Sequence, residues 1–341
     1  MNDTTAAAGP AGRGAAGPLP RRWLVTGGSG MLGHDLLALL AARDEVDVVA
    51  PRRDELDITD ARAVHERIGA HRPQIVVNCA AWTAVDDAEE HEAEAYAVNG
   101  EGPRHLARAC AATGARLLHV STDYVFSGRR PQSAAGYAED ADTGPGTAYG
   151  RGKLAGERGV LEELPTAATV VRTAWLYGRH GRSFVRTMAE RAASPGEVRI
   201  VDDQHGQPTW TKEVAERLVL LAALPADRTR GVFHATAAGH TSWYGLARAV
   251  FSLLGADPGR VRPTDSASLE RPARRPAWSV LADHRWPHVG GAPMRPWRDV
   301  LSDSLAEVLD LASVEHRGSL GADAEGLPRQ SGQLPRVVPR G

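Results

Sequence analysis

Short apolar runs alternate with amphipathic stretches along the first half of the chain. Five runs read as strands: RWLVT (22–26), VDVVA (46–50), QIVVNCAA (74–81), ARLLHVST (115–122) and the start of ATVVRTAWLYG (168–178). Helical patterns lie between them: MLGHDLLALLAA (31–42), DARAVHERIGA (60–70), AEAYAVNGEGPRHLARACAATG (93–114) and YGRGKLAGERGVLEEL (149–164). A continuously apolar strand such as IVV is covered on both faces. Strands alternating with helices predict a parallel, doubly wound α/β sheet. After about Tyr177 the rhythm loosens. Strand candidates VRIV (198–201) and GVFHA (231–235) mix with helices near 212–224, 242–254 and 297–312. This predicts a smaller C-terminal α/β lobe over the C-terminal edge of the sheet, where open parallel sheets bind ligands. The lobe is expected to be partly discontinuous, with the strand near 231–235 a candidate to return to the main sheet.

Composition narrows the class. The 341 residues are 42% hydrophobic and carry a formal net charge of -2. That is ample for a core, and it argues against a nucleic acid or membrane surface held by bulk charge. Two cysteines, Cys79 and Cys110, cannot build a disulfide scaffold or a cysteine metal cluster. They read as small buried thiols in a reducing cytosol. The first residues lack the apolar core of a secretory signal. No apolar run reaches the roughly 18 residues of a membrane span. The ends, 1–20 and 317–341, are Ala/Gly/Pro-rich and are expected to be disordered tails. The acidic run DDAEEHEAEA (86–95) reads as a solvated helix face, with a partner surface as the alternative.

The first strand runs into VTGGSGMLG (25–33), which places Gly27, Gly30 and Gly33 at three-residue intervals before the first helix. Glycines there permit a tight turn, close approach of a pyrophosphate to backbone N–H groups, and close helix–strand packing. The helix N-terminus then faces the phosphates. This makes 21–176 a Rossmann-type dinucleotide-binding domain and 177–316 the substrate lobe. After the second strand comes PRRDELDITD (51–60), with Arg52 and Arg53 where an acidic residue would bind a free ribose 2′-hydroxyl. Arginine there accommodates a 2′-phosphate, which favours NADPH; Asp54 keeps NADH possible.

Of the 40 lysines and arginines only two are lysine, Lys153 and Lys212. Lys153 lies four residues after Tyr149, on the same helix face. A phenol is a poor acid–base group at neutral pH, and a nearby ammonium is expected to lower its pKa toward working pH. A lysine can also hold ribose hydroxyls, a geometry that arginine's planar fork does not reproduce. Thr122 ends the strand between the glycine turn and this helix, where its hydroxyl can donate to a substrate carbonyl.

Glycine turn, Ser/Thr strand end and Tyr-x-x-x-Lys, in this order, are the pattern of the extended short-chain dehydrogenase/reductases. More narrowly the chain resembles the dTDP-4-dehydrorhamnose reductases, over about residues 22–310. The likeness rests on VTGGSGMLG, LDITD (56–60), VVNCAAWTAVDDAE (76–89), VNG (98–100), VSTDYVFSG (120–128), YGRGKLAGE, VVRTAWLYG (170–178), VDDQHGQPTWT (201–211) and RPARRPAWSVL (271–281). The resemblance implies that Gly27, Gly30, Met31 and Leu32 line the pyrophosphate. Asp57 and Ile58 would border the adenine, and Ala80, Ala81 and Thr83 would flank the cofactor. Tyr149 would be the proton donor, Lys153 its partner, and Thr122 the group orienting the substrate carbonyl. Val85 and Trp175 would lie against the sugar of a dTDP-linked substrate.

Two departures stand out. Trp278-Ser279-Val280-Leu281 occupies the place of an Asn-Ser-Arg-Leu run in the family's best-known form. Positions that supply metal-binding glutamates at a dimer interface in some members correspond here to Asp35 and Lys212. A charged lysine is no metal ligand, so a monomer or a homodimer without a bridging metal is expected. The resemblance implies NADPH-dependent reduction of a 4-keto-6-deoxy nucleotide sugar, with dTDP-4-dehydro-L-rhamnose as the family default. A streptose-precursor reductase of antibiotic biosynthesis is the close alternative. An epimerase or 4,6-dehydratase on the same scaffold is a further one, although Tyr124 stands where dehydratases carry a second carboxylate. A non-catalytic, cofactor-binding regulatory subunit is the last.

Overall fold

A computed structural model describes residues 18–132 and 136–311. In chain order its elements are β1 (Arg22–Thr26), α1 (Met31–Ala41), β2 (Asp47–Val49), α2 (Ala61–His71), β3 (Ile75–Asn78), α3 (Asp87–Glu90), α4 (Glu92–Tyr96), a π-helical stretch (Ala97–Glu101), α5 (Gly102–Thr113) and β4 (Arg116–Thr122). Then come α6 (Ala148–Glu163), β5 (Ala168–Thr173), β6 (Leu176–Tyr177), α7 (Phe184–Ala193), β7 (Val198–Val201), β8 (His205–Gly206) and β9 (Thr209–Trp210). The chain continues through α8 (Thr211–Ala223), α9 (Ala226–Thr229), β10 (Gly231–His234), β11 (Thr241–Ser242), α10 (Trp243–Leu253), β12 (Val261–Thr264) and α11 (Trp297–Val308). The expected helix over 93–114 is present as one run, α4 to α5, with the π-helical stretch inside it.

Six strands form the central sheet in the order β2-β1-β3-β4-β5-β10, every pair parallel. From β1 the chain moves outward to β2 and then returns to β3 on the other side of β1. That reversal opens a crevice at the C-terminal ends of β1 and β3. The sheet's two faces are separate cores. Trp23, Val25, Ile75, Val77 and Val171 pack under Leu36, Leu40 and Leu218, whereas Leu24, Val76, Leu117 and Val170 pack under Val64, Ile68, Leu106 and Val160. Alternate residues of each strand serve opposite faces.

Of the expected lobe 177–316, the described residues 177–311 are divided between sheet and lobe. β10 pairs with β5 at the sheet edge, and Val214, Leu218 and Leu221 of α8 lie in the core above α1. The lobe proper packs Val185 and Met188 of α7, Leu246, Val250 and Phe251 of α10, and Leu301 and Leu305 of α11. Three two-stranded ladders, β6–β9, β7–β12 and β8–β11, knit it together.

The expected tail over 317–341, and all of 1–20 except 18–20, lie outside the described residues; Leu19 packs against the core above α1. The acidic run 86–95 is not simply a solvated face. Asp86 pairs with Arg275, Glu89 accepts from the Ala148 N–H at 2.9 Å, and Glu92 pairs with Arg151 at 2.8 Å. The last two contacts dock α3 and α4 on α6, and the first ties the start of α3 to the 271–281 segment. Among the described residues no helix is long and apolar enough to cross a membrane.

Candidate active site

Gly27 ends β1 with φ +70°, and a Cβ there would sit 2.4 Å from the Ala80 backbone nitrogen. The turn after β1 can therefore lie against the end of β3 only as glycine. A Cβ on Gly33 would meet the Gly27 carbonyl at 2.3 Å, so the first turn of α1 is equally tight. Gly30 caps α1 with no side-chain acceptor, and the first turn holds no acidic residue. Its N–H groups are left for an anion.

A cavity of about 760 Å³ opens from this turn along the ends of β1, β3, β4 and β5. Gly27, Gly30, Met31, Leu32, Arg52, Asp57, Ile58, Ala80, Ala81 and Thr83 line it. So do Val85, Thr122, Tyr149, Lys153 and Trp175. The residues expected to act in catalysis or to touch the cofactor or the sugar thus border one space, whereas Asp54, Asp35, Lys212 and Trp278 do not line it. Arg52 is 75% exposed and held 3.0 Å from Asp54. Asp57 accepts from the backbone N–H and hydroxyl of Thr59, and that backbone bond above all holds its carboxyl below the usual range.

Thr147 caps α6 through the Gly150 N–H at 3.1 Å and so fixes the helix that carries Tyr149 and Lys153. Lys153 is 2% exposed, and its Nζ donates to the Val120 carbonyl at 2.7 Å. Burial lowers its pKa to about 8. Tyr149 departs from expectation: burial raises its phenol to about 12, although the Thr122 hydroxyl pulls the other way. Lys153 spends a donor on Val120 and is not among the groups that lower the phenol, so the predicted depression is absent. The Thr122 hydroxyl donates to Asp123 Oδ1 at 2.9 Å and accepts from the Tyr124 N–H at 3.2 Å. Presenting it to a substrate carbonyl requires it to turn from Asp123.

Beneath these groups runs a buried polar ladder. The Thr26 hydroxyl donates to Asn78 Oδ1 at 2.7 Å, the Ala80 N–H donates to the same oxygen at 3.1 Å, and the Asn78 amide donates to His119 Nδ1 at 3.0 Å. Burial, and then Lys153, hold His119 well below its ordinary pKa. Asn78 thereby ties the ends of β1, β3 and β4 under the cavity floor.

Several lining residues have no role in the site from sequence. Asp123 and Tyr124 follow Thr122 directly, and Tyr124 figures there only as a departure from the dehydratases. Burial raises the Asp123 carboxyl to about 6, and the Tyr124 ring stands edge-on to Tyr149 at 5.5 Å. Ser121 and Thr173, on neighbouring strands, are among the lining residues, and their buried hydroxyls have no protein partner. Trp243 stacks on Trp175 from the small lobe, and Arg182 lines the same side. Cys79 is half-buried, packed against the core under α1 while also lining the cavity wall; only Cys110 is fully buried. Burial raises the Cys79 thiol to about 12, which leaves it unreactive.

The residues present fit a dinucleotide. The glycine cradle at Gly27 and Gly33 has no room for side chains, and the first turn of α1 has neither a side-chain cap nor an acidic residue. Asp35, one of the two positions aligned with metal ligands, hydrogen-bonds Thr211. Lys212, the other, pairs with Glu307 at 3.0 Å. Among the described residues no group of three or more His, Cys, Asp or Glu side chains could hold a metal.

Residues 21–310 match the family described as RmlD substrate binding domain. A dTDP-4-dehydrorhamnose reductase of Streptomyces griseus is 56% identical, over 84% of this chain and 94% of its own length. A dTDP-4-keto-6-deoxy-D-glucose reductase of Streptomyces niveus is 50% identical, over 83% and 96%. The solved dTDP-4-dehydrorhamnose reductase of Bacillus anthracis, in complex with NADP, superposes with a TM-score of 0.78 at 33% identity, covering 85% of this chain and 99% of that one.

Proposed function

The chain belongs to the RmlD substrate binding domain family, the dTDP-4-dehydrorhamnose reductases, and from that premise we propose that it is an NADPH-dependent oxidoreductase. It reduces the keto group of a dTDP-linked 4-keto-6-deoxy sugar, converting dTDP-4-dehydro-L-rhamnose to dTDP-L-rhamnose. The observation that carries this reading is the meeting of an uncapped α1 N-terminus with Thr122, Tyr149 and Lys153 in one cavity.

NADPH, when bound, supplies the two electrons and the hydrogen that reach the keto carbon. Gly27, Gly30, Met31 and Leu32 hold its pyrophosphate, and Arg52 reaches the 2′-phosphate. Asp57 and Ile58 border the adenine, and Ala80, Ala81 and Thr83 flank the remainder. Tyr149 gives its proton to the oxygen of the forming alcohol. A phenol whose pKa is about 12 is protonated throughout the neutral range, which is the state a donor needs in the reductive direction. One of the Lys153 donors is fixed on Val120; the other two hold ribose hydroxyls. Thr122 orients the carbonyl, and Val85 and Trp175 bound the sugar. Only Asp123 supplies a carboxylate beside Thr122, and Tyr124 follows it. Water elimination by an acidic pair therefore lacks its second group. The enzyme works in the cytosol, as a monomer or as a homodimer that no metal bridges.

The test is NADPH oxidation with dTDP-4-dehydro-L-rhamnose made in situ, with Tyr149→Phe in parallel. Turnover that falls roughly 10²–10⁴-fold in the variant is expected for loss of a general acid, with NADPH affinity retained. A wild-type protein that binds NADPH but reduces neither this sugar nor the streptose-type precursor would refute the reading.

A further inference from the structure

Trp175 is one of three described non-glycine residues with positive φ, at +46°. A bulky side chain rarely adopts that region, and such a residue persists only where its surroundings over-determine it. Here the surroundings are unusually complete. The Trp243 indole lies parallel to that of Trp175, 5° between planes and 3.5 Å between centroids. Phe184 packs on Trp243 from another side at 4.6 Å. Gly206 packs against the Nε1–Cε2–Cζ2 edge of Trp175, where a Cβ would approach to 2.3 Å. The Trp175 carbonyl accepts from the Thr209 N–H at 3.2 Å. Gly206 and the residues leading to Trp243 belong to one ladder, because β8 pairs with β11 through Thr241↔Gly206 and Ser242↔His205. Ser242 also caps α10 through the Gly245 N–H at 3.0 Å. Both indoles nevertheless line the cavity. The small lobe therefore reaches the active site through a rigid aromatic pair rather than through a loose side chain.

We infer that Trp243 is a positioning residue of the sugar subsite, one that holds the Trp175 indole in its left-handed setting as a flat apolar wall for the 6-deoxy sugar. This rests on the proposed function for the identity of the sugar, but not for the setting of the indole. The physical argument is one of freedom lost in advance. An indole pinned between a stacked ring and a glycine spends little conformational entropy when a sugar arrives. Its apolar surface suits a ring face and a methyl group.

Trp243→Leu and Trp243→Phe are the variants to make, the first removing the flat face and the second keeping a smaller ring. With Trp243→Leu, KM for dTDP-4-dehydro-L-rhamnose is expected to rise about tenfold or more, while KM for NADPH stays within about twofold. Trp243→Phe is expected to recover most of the loss, and it keeps the test open should the leucine variant fold poorly. A second readout is the indole N–H signal of Trp175 in ¹⁵N-labelled protein, assigned with Trp175→Phe. The stacked ring of Trp243 should shift it upfield in the wild type and release it in Trp243→Leu. Wild-type KM in the leucine variant would overturn the inference. If the wild type reduces no 4-keto-6-deoxy nucleotide, the proposed function fails instead and the spectrum decides. A Trp175 signal that moves between wild type and Trp243→Leu supports the inference, and one that is identical in the two overturns it.

Discussion

Lys153 is the residue on which burial and function pull hardest against each other. Its ammonium sits 2% exposed and its pKa falls from 10.5 to about 8. The cofactor-free enzyme therefore loses this charge above about pH 8, and kcat/KM is expected to fall on the alkaline side with an apparent pKa near that value. Lys153→Met should flatten that limb and lower the plateau roughly 10²-fold; a pH profile with the limb intact in the variant would assign it elsewhere. The sign for stability is opposite. Between pH 8 and 10 the folded lysine has released its proton and the unfolded one has not, so Lys153 contributes stability that rises with pH; above about pH 9 the buried thiols of Cys79 and Cys110, which ionise only on unfolding, oppose it. Urea midpoints at pH 7.5 and 8.5, for wild type against Lys153→Met, check the lysine's share. Arg52 gives a milder test. It is exposed and paired only with Asp54, so Arg52→Ala should leave folding intact and cut the preference for NADPH over NADH about tenfold. An unchanged ratio of kcat/KM values for the two cofactors would free Arg52 of that role.

At the scale of elements, the decisive contact is between the first turn of α1 and the ends of β1 and β3. Helix propensity alone would favour alanine over glycine at position 33 by about 1 kcal/mol. The Cβ, however, would meet the Gly27 carbonyl at 2.3 Å and the Gly28 Cα at 2.8 Å, both backbone atoms that cannot swing aside. Gly33→Ala is therefore expected to destabilise the protein by about 1–3 kcal/mol and to weaken NADPH binding. Chemical denaturation and a fluorescence titration measure the two effects; a variant as stable as wild type would show that the turn relaxes. α6 is anchored differently. Arg172 of β5 donates to both carboxylate oxygens of Glu157, at 2.9 and 2.7 Å, with both side chains nearly inaccessible. That pair ties the helix carrying Tyr149 and Lys153 to the sheet.

At the scale of the whole molecule, the cavity lies between a sheet domain and a lobe that share chain segments. A ligand bound there stabilises both. Saturation with NADPH at about 100 times its Kd should add about 2.7 kcal/mol and raise Tm on the order of 5 °C, as one cooperative transition in calorimetry. Two separate transitions, with only one shifting, would show that lobe and sheet unfold independently. With Asp35 committed to Thr211 and Lys212 to Glu307, chelators are expected to leave the sedimentation coefficient unchanged. A mass that halves in EDTA would reveal a metal-bridged dimer.

The sequence alone determined most of the architecture, because its signals are local. Strands, helices and the glycine turn are written as periodicity and backbone need within a few residues of one another. The order of glycine turn, Thr122, Tyr149 and Lys153 carried the resemblance to the extended short-chain dehydrogenase/reductases, and longer motifs such as VSTDYVFSG and VDDQHGQPTWT narrowed it to the reductases of 4-keto-6-deoxy nucleotide sugars. Tertiary structure decided the rest. Whether Lys153 lowers the Tyr149 pKa depends on what else the ammonium touches, and Val120 lies on another element. That Cys79 packs against the core and also reaches the cavity wall depends on where β3 ends against the turn after β1. Trp243 joins the site only because β8 and β11 pair and set one indole on another; no spacing along the chain encodes that approach. Burial and long-range contact fix pKa values, exposure and ring stacking, and neither can be read from neighbours in sequence.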